Sequence, residues 1–112
     1  MRTPGVTSPK PLADCSSLQR DILVSTSEMG PSSGTALLRR LREEYEYDAV
    51  DLSKSTVYDN IRRLEGMGLL DREETTGRTN TYVVSEEGRS RLLAYRRWVV
   101  DSIPPMDPSE RF

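Results

Sequence analysis

Apolar positions along this chain recur at helical spacing in four stretches and cluster in strand-like fashion in one. In SSLQRDILVSTSEM, Leu18, Ile22 and Met29 keep a helical interval, and Leu23 and Val24 widen the stripe. Ser16 and Gln19 stand in capping-box spacing at its start, and Gly30-Pro31 ends it. A second helix follows in SSGTALLRRLREEYEY, capped by Ser32 or Ser33, with Leu37, Leu38, Leu41 and Tyr45 inward and Arg39, Arg40 and Arg42 outward. After the short acidic stretch EYDAVDLS, Ser53 caps a third helix over 54–67, with Val57, Ile61 and Leu64 on one face. Ser55, Asp59 and Arg62 fall opposite, flanked by Tyr58 and Arg63, and Gly68 supplies the stop. The segment LLDREETTGRTNTYVVS predicts two strands: Leu69 and Leu70 begin one, Tyr82, Val83 and Val84 weight the other, and Gly77 serves the turn. Ser85, with Glu86 and Glu87 in the first turn, then caps a last helix that stops at Pro104-Pro105.

The predicted fold class is α+β, mostly α: three helices, a β-hairpin and a C-terminal helix. That order is the winged helix-turn-helix, in which the third helix enters a DNA groove and the hairpin flanks it. Residues 1–15, with Pro4, Pro9 and Pro11, read as a flexible N-terminal arm. Residues 16–103 form the domain, including its last helix as a dimerisation element, and 104–112 form a tail.

Composition narrows the function. The chain holds no histidine and one cysteine, which removes the commonest neutral-pH base, the commonest metal ligand and any internal disulfide. Phosphate-cradling and nucleophile-elbow motifs are absent from the sequence, and the acidic pairs at 43–44, 73–74 and 86–87 suit solvated faces. An enzyme is therefore not expected, nor a cofactor or metal site. Without a long apolar run or a secretory signal, no membrane association is expected and the cytoplasm is the default location. The net charge of −2 disfavours indiscriminate coating of nucleic acid but leaves room for one compact basic face.

The stretch LSKSTVYDNIRRLEGMGLL resembles the signature of the PadR family of transcriptional regulators, and TYVVSEEG resembles its second wing strand and last-helix start. MGPSSGTALLRRL is similar to the family's Gly-Pro segment, but Ser33 stands where histidine is common and Thr35 where tyrosine is common. The resemblance spans about residues 18–98 and corresponds to the compact form without a separate C-terminal domain. It implies a homodimer built on the first and last helices, and a sequence-specific regulator, by family expectation a repressor, of double-stranded DNA.

On this reading Ser55, Asp59 and Arg62 face the major groove, where Arg pairs with guanine and a carboxylate with the cytosine amino group. Asp59 either reads cytosine or orients Arg62, and Tyr58 serves equally as a packing residue. Lys54, Tyr58 and Arg63 set register on phosphates, with Ser53 and Thr56 at the same helix start. Gly77 and Arg78 at the wing tip, with Asn80 behind, reach the backbone or minor groove. Ser33 and the amides of the second helix's start hold one phosphate. The dimer surface comprises Leu18, Ile22, Leu92, Tyr95, Trp98, Val99 and Ile103. In some relatives an aromatic residue of the last helix binds flat apolar effectors, which makes Trp98 the candidate for a small aromatic ligand, with dimer packing as its plainer role. The alternative reading is a winged helix used for protein–protein contact, favoured by the acidity, the thinly charged wing and Asp59.

Overall fold

The computed structural model describes residues 10–44, 52–74, 77 and 79–105. Chain order is α1 (Ser17–Met29), β1 (Ser32–Ser33), α2 (Gly34–Glu44), α3 (Lys54–Gly66), β2 (Leu70–Glu74), β3 (Asn80–Val84) and α4 (Glu86–Ser102). The strands form an antiparallel sheet in the order β1-β3-β2, with Leu70 opposite Val84 and Ser32 opposite Tyr82. This is a winged helix. Among the described residues no helix is long and apolar enough to cross a membrane.

Each helix starts at a serine that satisfies its otherwise orphaned amides. Ser16 Oγ accepts from the Gln19 amide at 3.1 Å, and Gln19 Oε1 accepts from the Ser16 amide at 3.0 Å, which completes the capping box. Ser33, Ser53 and Ser85 accept in the same way from Ala36, Thr56 and Gly88. Ser85 also donates to the Gly68 carbonyl at 2.6 Å, so one hydroxyl both starts α4 and pins the turn after α3. That turn needs a left-handed residue, and Gly68 takes φ +78. Gly88 is required for another reason. A methyl group there would lie 2.9 Å from Val84 Cγ1 and closer still to the Leu69 carbonyl oxygen.

The apolar faces meet in one core. Ile22 and Leu23 of α1, Leu37 and Leu41 of α2, and Val57, Ile61 and Leu64 of α3 are fully buried, and Leu69, Leu70 and Tyr82 close it from the wing. Each such aliphatic side chain contributes roughly 1.5–3 kcal/mol through burial.

Four expectations change. Lys10 to Cys15, read as part of a flexible arm, fold into a turn on the core, where Leu12 is wholly buried and Cys15 nearly so. Met29 and Val24, assigned to the buried stripe of α1, are exposed. Ile22, assigned to a dimer surface, is wholly buried within its own subunit and has no area left for a partner. The sheet has a third strand, since Ser32 and Ser33 pair with Tyr82 and Thr81. Tyr45, expected on the buried face of α2, lies outside the described residues, as do residues 1–9 and 106–112.

Candidate nucleic-acid interface

The third helix presents the face its periodicity predicted. Lys54, Ser55, Asp59, Arg62 and Arg63 are exposed, and Val57, Ile61 and Leu64 hold the opposite side in the core. The guanidinium of Arg62 donates to the carboxylate of Asp59 one turn earlier, so the arginine is held along the helix. Both side chains remain more than half exposed, at 64 and 58 %, which leaves them accessible to a ligand. An exposed pair of this kind adds about 0.2–1 kcal/mol to stability, so its consequence is orientation more than folding.

Ser53 and Thr56 sit differently from the other candidates. Ser53 Oγ accepts from the Thr56 amide at 3.2 Å and hydrogen-bonds the hydroxyls of Thr56 and Ser55 at 2.9 and 3.1 Å. Their hydroxyls are engaged in the cap. Asn60 was not singled out from sequence. Its amide donates to the Thr56 carbonyl at 2.8 Å, and its oxygen accepts from Gln19 at 3.0 Å, which ties α3 to α1.

Tyr58 joins α3 to the start of α2. Its ring lies against Gly34 so closely that a methyl group on Gly34 would come within 2.6 Å of Cε1, with Cζ and Oη at least as near. Lys54 Nζ lies 5.8 Å from the ring centroid, a cation–π distance. A polar cleft of about 450 Å³ opens beside the ring, lined by Ser33, Gly34, Thr35, Tyr58, Thr79, Asn80 and Tyr82. The structure thus brings the α2 start, α3 and the wing to one place. Ser33, Tyr58 and Asn80 were expected at the interface; Gly34, Thr79 and Tyr82 were not, because nothing in their local pattern reports a neighbour far along the chain. Ser33 Oγ accepts from the Ala36 amide at 3.1 Å, which leaves its proton for an outside acceptor. Burial raises the Tyr82 phenol above its ordinary pKa, aided by the negative charge of Glu65, so this hydroxyl stays protonated.

At the wing, Gly77 is exposed at φ +110, and Arg78 lies outside the described residues. Arg72 pairs with Glu65 at 3.2 Å and fixes β2 against α3. Away from this face, α1 and α4 enclose an apolar groove of about 740 Å³, lined by Val24, Leu92, Leu93, Tyr95, Val99 and Val100 with Ser27, Glu28 and Arg96. Leu93, Val100 and Ile103 are more than half exposed. Trp98 lies on another flank of α4, half-buried, with Tyr95 stacked at 6.0 Å and Lys10 Nζ 5.3 Å over its ring. Leu18 is half-buried against the core.

The profile of the transcriptional regulator PadR-like family matches residues 22–94. The chain belongs to that family. The fold of this PadR-like chain is similar to RosR of H. salinarum, with 25 % identity over 81 % of this chain and 79 % of that one, and a TM-score of 0.72. It is similar in fold to RV1404 of Mycobacterium tuberculosis, at 22 % identity over 89 and 67 % of the two chains and a TM-score of 0.66. Bacillus subtilis PadR, solved in complex with operator DNA, shares 19 % identity over 85 % of this chain and 54 % of that one, with a TM-score of 0.60. No curated protein sequence is significantly similar to this PadR-like chain.

Proposed function

We propose that this PadR-like protein is a cytoplasmic, homodimeric, sequence-specific DNA-binding regulator that acts as a repressor where its operator overlaps a promoter. The observation that carries the reading is the convergence of the exposed Lys54-Ser55-Asp59-Arg62-Arg63 face with the hydroxyl-lined cleft under Tyr58. The helix face matches base edges, and the cleft, at the start of α2, matches one backbone phosphate. Asp59 acts by holding Arg62: a neutralised, oriented guanidinium discriminates bases better than it attracts phosphates. Ser53 and Thr56 act through the cap, while Gly77, Arg78 and Asn80 carry the wing contact.

Dimerisation is supported by the α1–α4 groove, on which Leu93 and Val100 are more than half exposed, and by the exposed Ile103 at the end of α4. Leu92, Tyr95 and Val99 line the same groove, so a two-fold mate placing α4 on α4 would cover them. A small aromatic effector, if bound, would enter this groove beside Tyr95 rather than stack on Trp98, whose ring Lys10 covers.

The test is the double variant Arg62→Ala, Arg78→Ala. Operator affinity should fall at least about a hundredfold, since a bidentate base contact and a wing contact are lost from each subunit, while the dimer persists. Retained affinity in that variant would favour the second reading, a winged helix for protein contact, which the Asp59–Arg62 pairing and the exposed acids Asp71 and Glu73 on the wing support.

A further inference from the structure

We infer that residues 10–15 form a latch that sets the angle of α4 against the domain, and through it the separation of the two recognition helices in the dimer. The inference rests on the dimeric reading above and adds a control element to it.

The segment is anchored from inside and clamped from outside. Inside, Leu12 is wholly buried and Cys15 is 5 % exposed, although Leu12 takes φ 60, a left-handed conformation that costs a leucine energy. Two turn bonds shape it, from the Ala13 amide to the Lys10 carbonyl at 2.9 Å and from the Cys15 amide to the Leu12 carbonyl at 3.0 Å. Arg20 of α1 holds the Cys15 carbonyl at 2.8 Å, so the latch is joined to α1 where it ends.

Outside, both clamps go to α4. Asp14 accepts from the Arg91 guanidinium, and Lys10 Nζ lies 5.3 Å over the Trp98 ring. Arg91 and Trp98 are two turns apart on one flank of α4, so the pair of contacts resists rotation of the helix rather than merely touching it. The start of α4 needs no latch, because Ser85 and Gly88 are locked to the α3–β2 turn. Its far half does. Among the described residues, Tyr95 is the last α4 side chain packed on the core, and Lys10 reaches beyond it. That far half carries Val99, Val100 and Ile103 of the apolar surface, so a change in its angle moves the dimer partner as a body.

A dimer of fixed geometry distinguishes half-site separations, because one added base pair turns the second half-site by about 34° around the duplex. The full-length variant Lys10→Ala, Arg91→Gln removes both clamps and leaves Asp14, whose charge acts on the Cys15 thiol, in place. Cys15 reports latch release through its reaction with a thiol-specific disulfide reagent, since the native segment buries it. We expect the variant to react about tenfold faster at Cys15 while keeping native helicity. Its preference for the best half-site spacing over spacings one base pair shorter or longer should fall about fivefold or more, with a smaller loss at the best spacing. Faster Cys15 reaction with an unchanged spacing profile would overturn the inference. So would an unchanged Cys15 rate both in that variant and in Leu12→Asn, which keeps the left-handed backbone and removes the apolar anchor. If Leu12→Asn does not fold, the clamp variant alone decides. A wild-type protein that binds DNA with no spacing optimum would overturn the dimeric reading itself, and the latch with it.

Discussion

Replacing Gly34 by alanine separates the site from the fold. The added methyl would come within 2.6 Å of Tyr58 Cε1 and as near to the rest of the outer ring, so the ring must swing away. The obstacle is the far end of a rotatable side chain, half-buried beside open cleft, and it can move. Alanine also recovers part of the ~1 kcal/mol by which glycine disfavours a helix, less at this first position than in the interior. Stability should therefore change by less than about 1 kcal/mol. DNA binding should change far more, because the Tyr58 hydroxyl leaves the cleft proposed to hold a phosphate. A lost phosphate hydrogen bond is worth about 1–1.5 kcal/mol per subunit, or about 2–3 per dimer, roughly a 30- to 150-fold rise in Kd. Thermal denaturation and fluorescence anisotropy on a selected operator measure the two quantities. Tyr58→Phe, which removes the hydroxyl and leaves the ring, should show a comparable affinity loss. A folded Gly34→Ala protein with operator affinity within about twofold of wild type would refute the placement of a phosphate in this cleft.

Other substitutions isolate the fold, the α4 groove and the Asp14–Arg91 pair. Gly88→Ala meets backbone instead of a mobile ring, at the Leu69 carbonyl, and should cost about 2–4 kcal/mol, read as a fall in Tm of about 10 °C or more. Val100→Asp places a charge on the apolar groove and should weaken dimerisation at least about tenfold in sedimentation while leaving the monomer folded, whereas an unchanged dimer would remove α4 from the interface. Hydrogen bonding and the charge of Arg91 hold the Asp14 carboxyl below its ordinary pKa of 3.8, so its stabilising effect is present at neutral pH and is lost as pH falls through the lowered value. Asp14→Asn should therefore be less stable than wild type at pH 7, with the gap closing in acid below about pH 4; a gap constant with pH would deny the ion pair. Burial raises the Cys15 thiol above its ordinary pKa, with the Asp14 charge adding to the effect, so native Cys15 should react with thiol reagents far more slowly than the unfolded chain.

Local chemistry made most of the fold legible. Serines announced all four helix starts, with only the choice between Ser32 and Ser33 left open at α2, and the intervals of Val57, Ile61 and Leu64 divided α3 into a buried and an exposed face. What escaped was set by distant neighbours. A proline-rich run with one leucine carries no periodicity, yet Leu12 is wholly buried in the shared core. Ile22 showed an apolar face but not which partner would cover it, and its own subunit does. Strand β1 is two residues long and exists through its pairing with β3. Tyr58 stood between packing and DNA contact on sequence grounds; its ring packs against Gly34 and also borders the polar cleft. Trp98, marked as a ligand or dimer residue, also has Lys10 over its ring, a pairing across most of the chain that no spacing rule reveals.

On the function proposed above, two copies of this chain read a two-fold related DNA site through α3. Selection of binding sequences from a random duplex pool, followed by a salt titration on the winner, decides this. The expected result is an enriched pseudo-palindrome with half-sites about 10 base pairs apart, and an affinity that falls with salt to the extent of ~3–5 phosphate contacts per subunit. No enrichment at either low or high salt would contradict it.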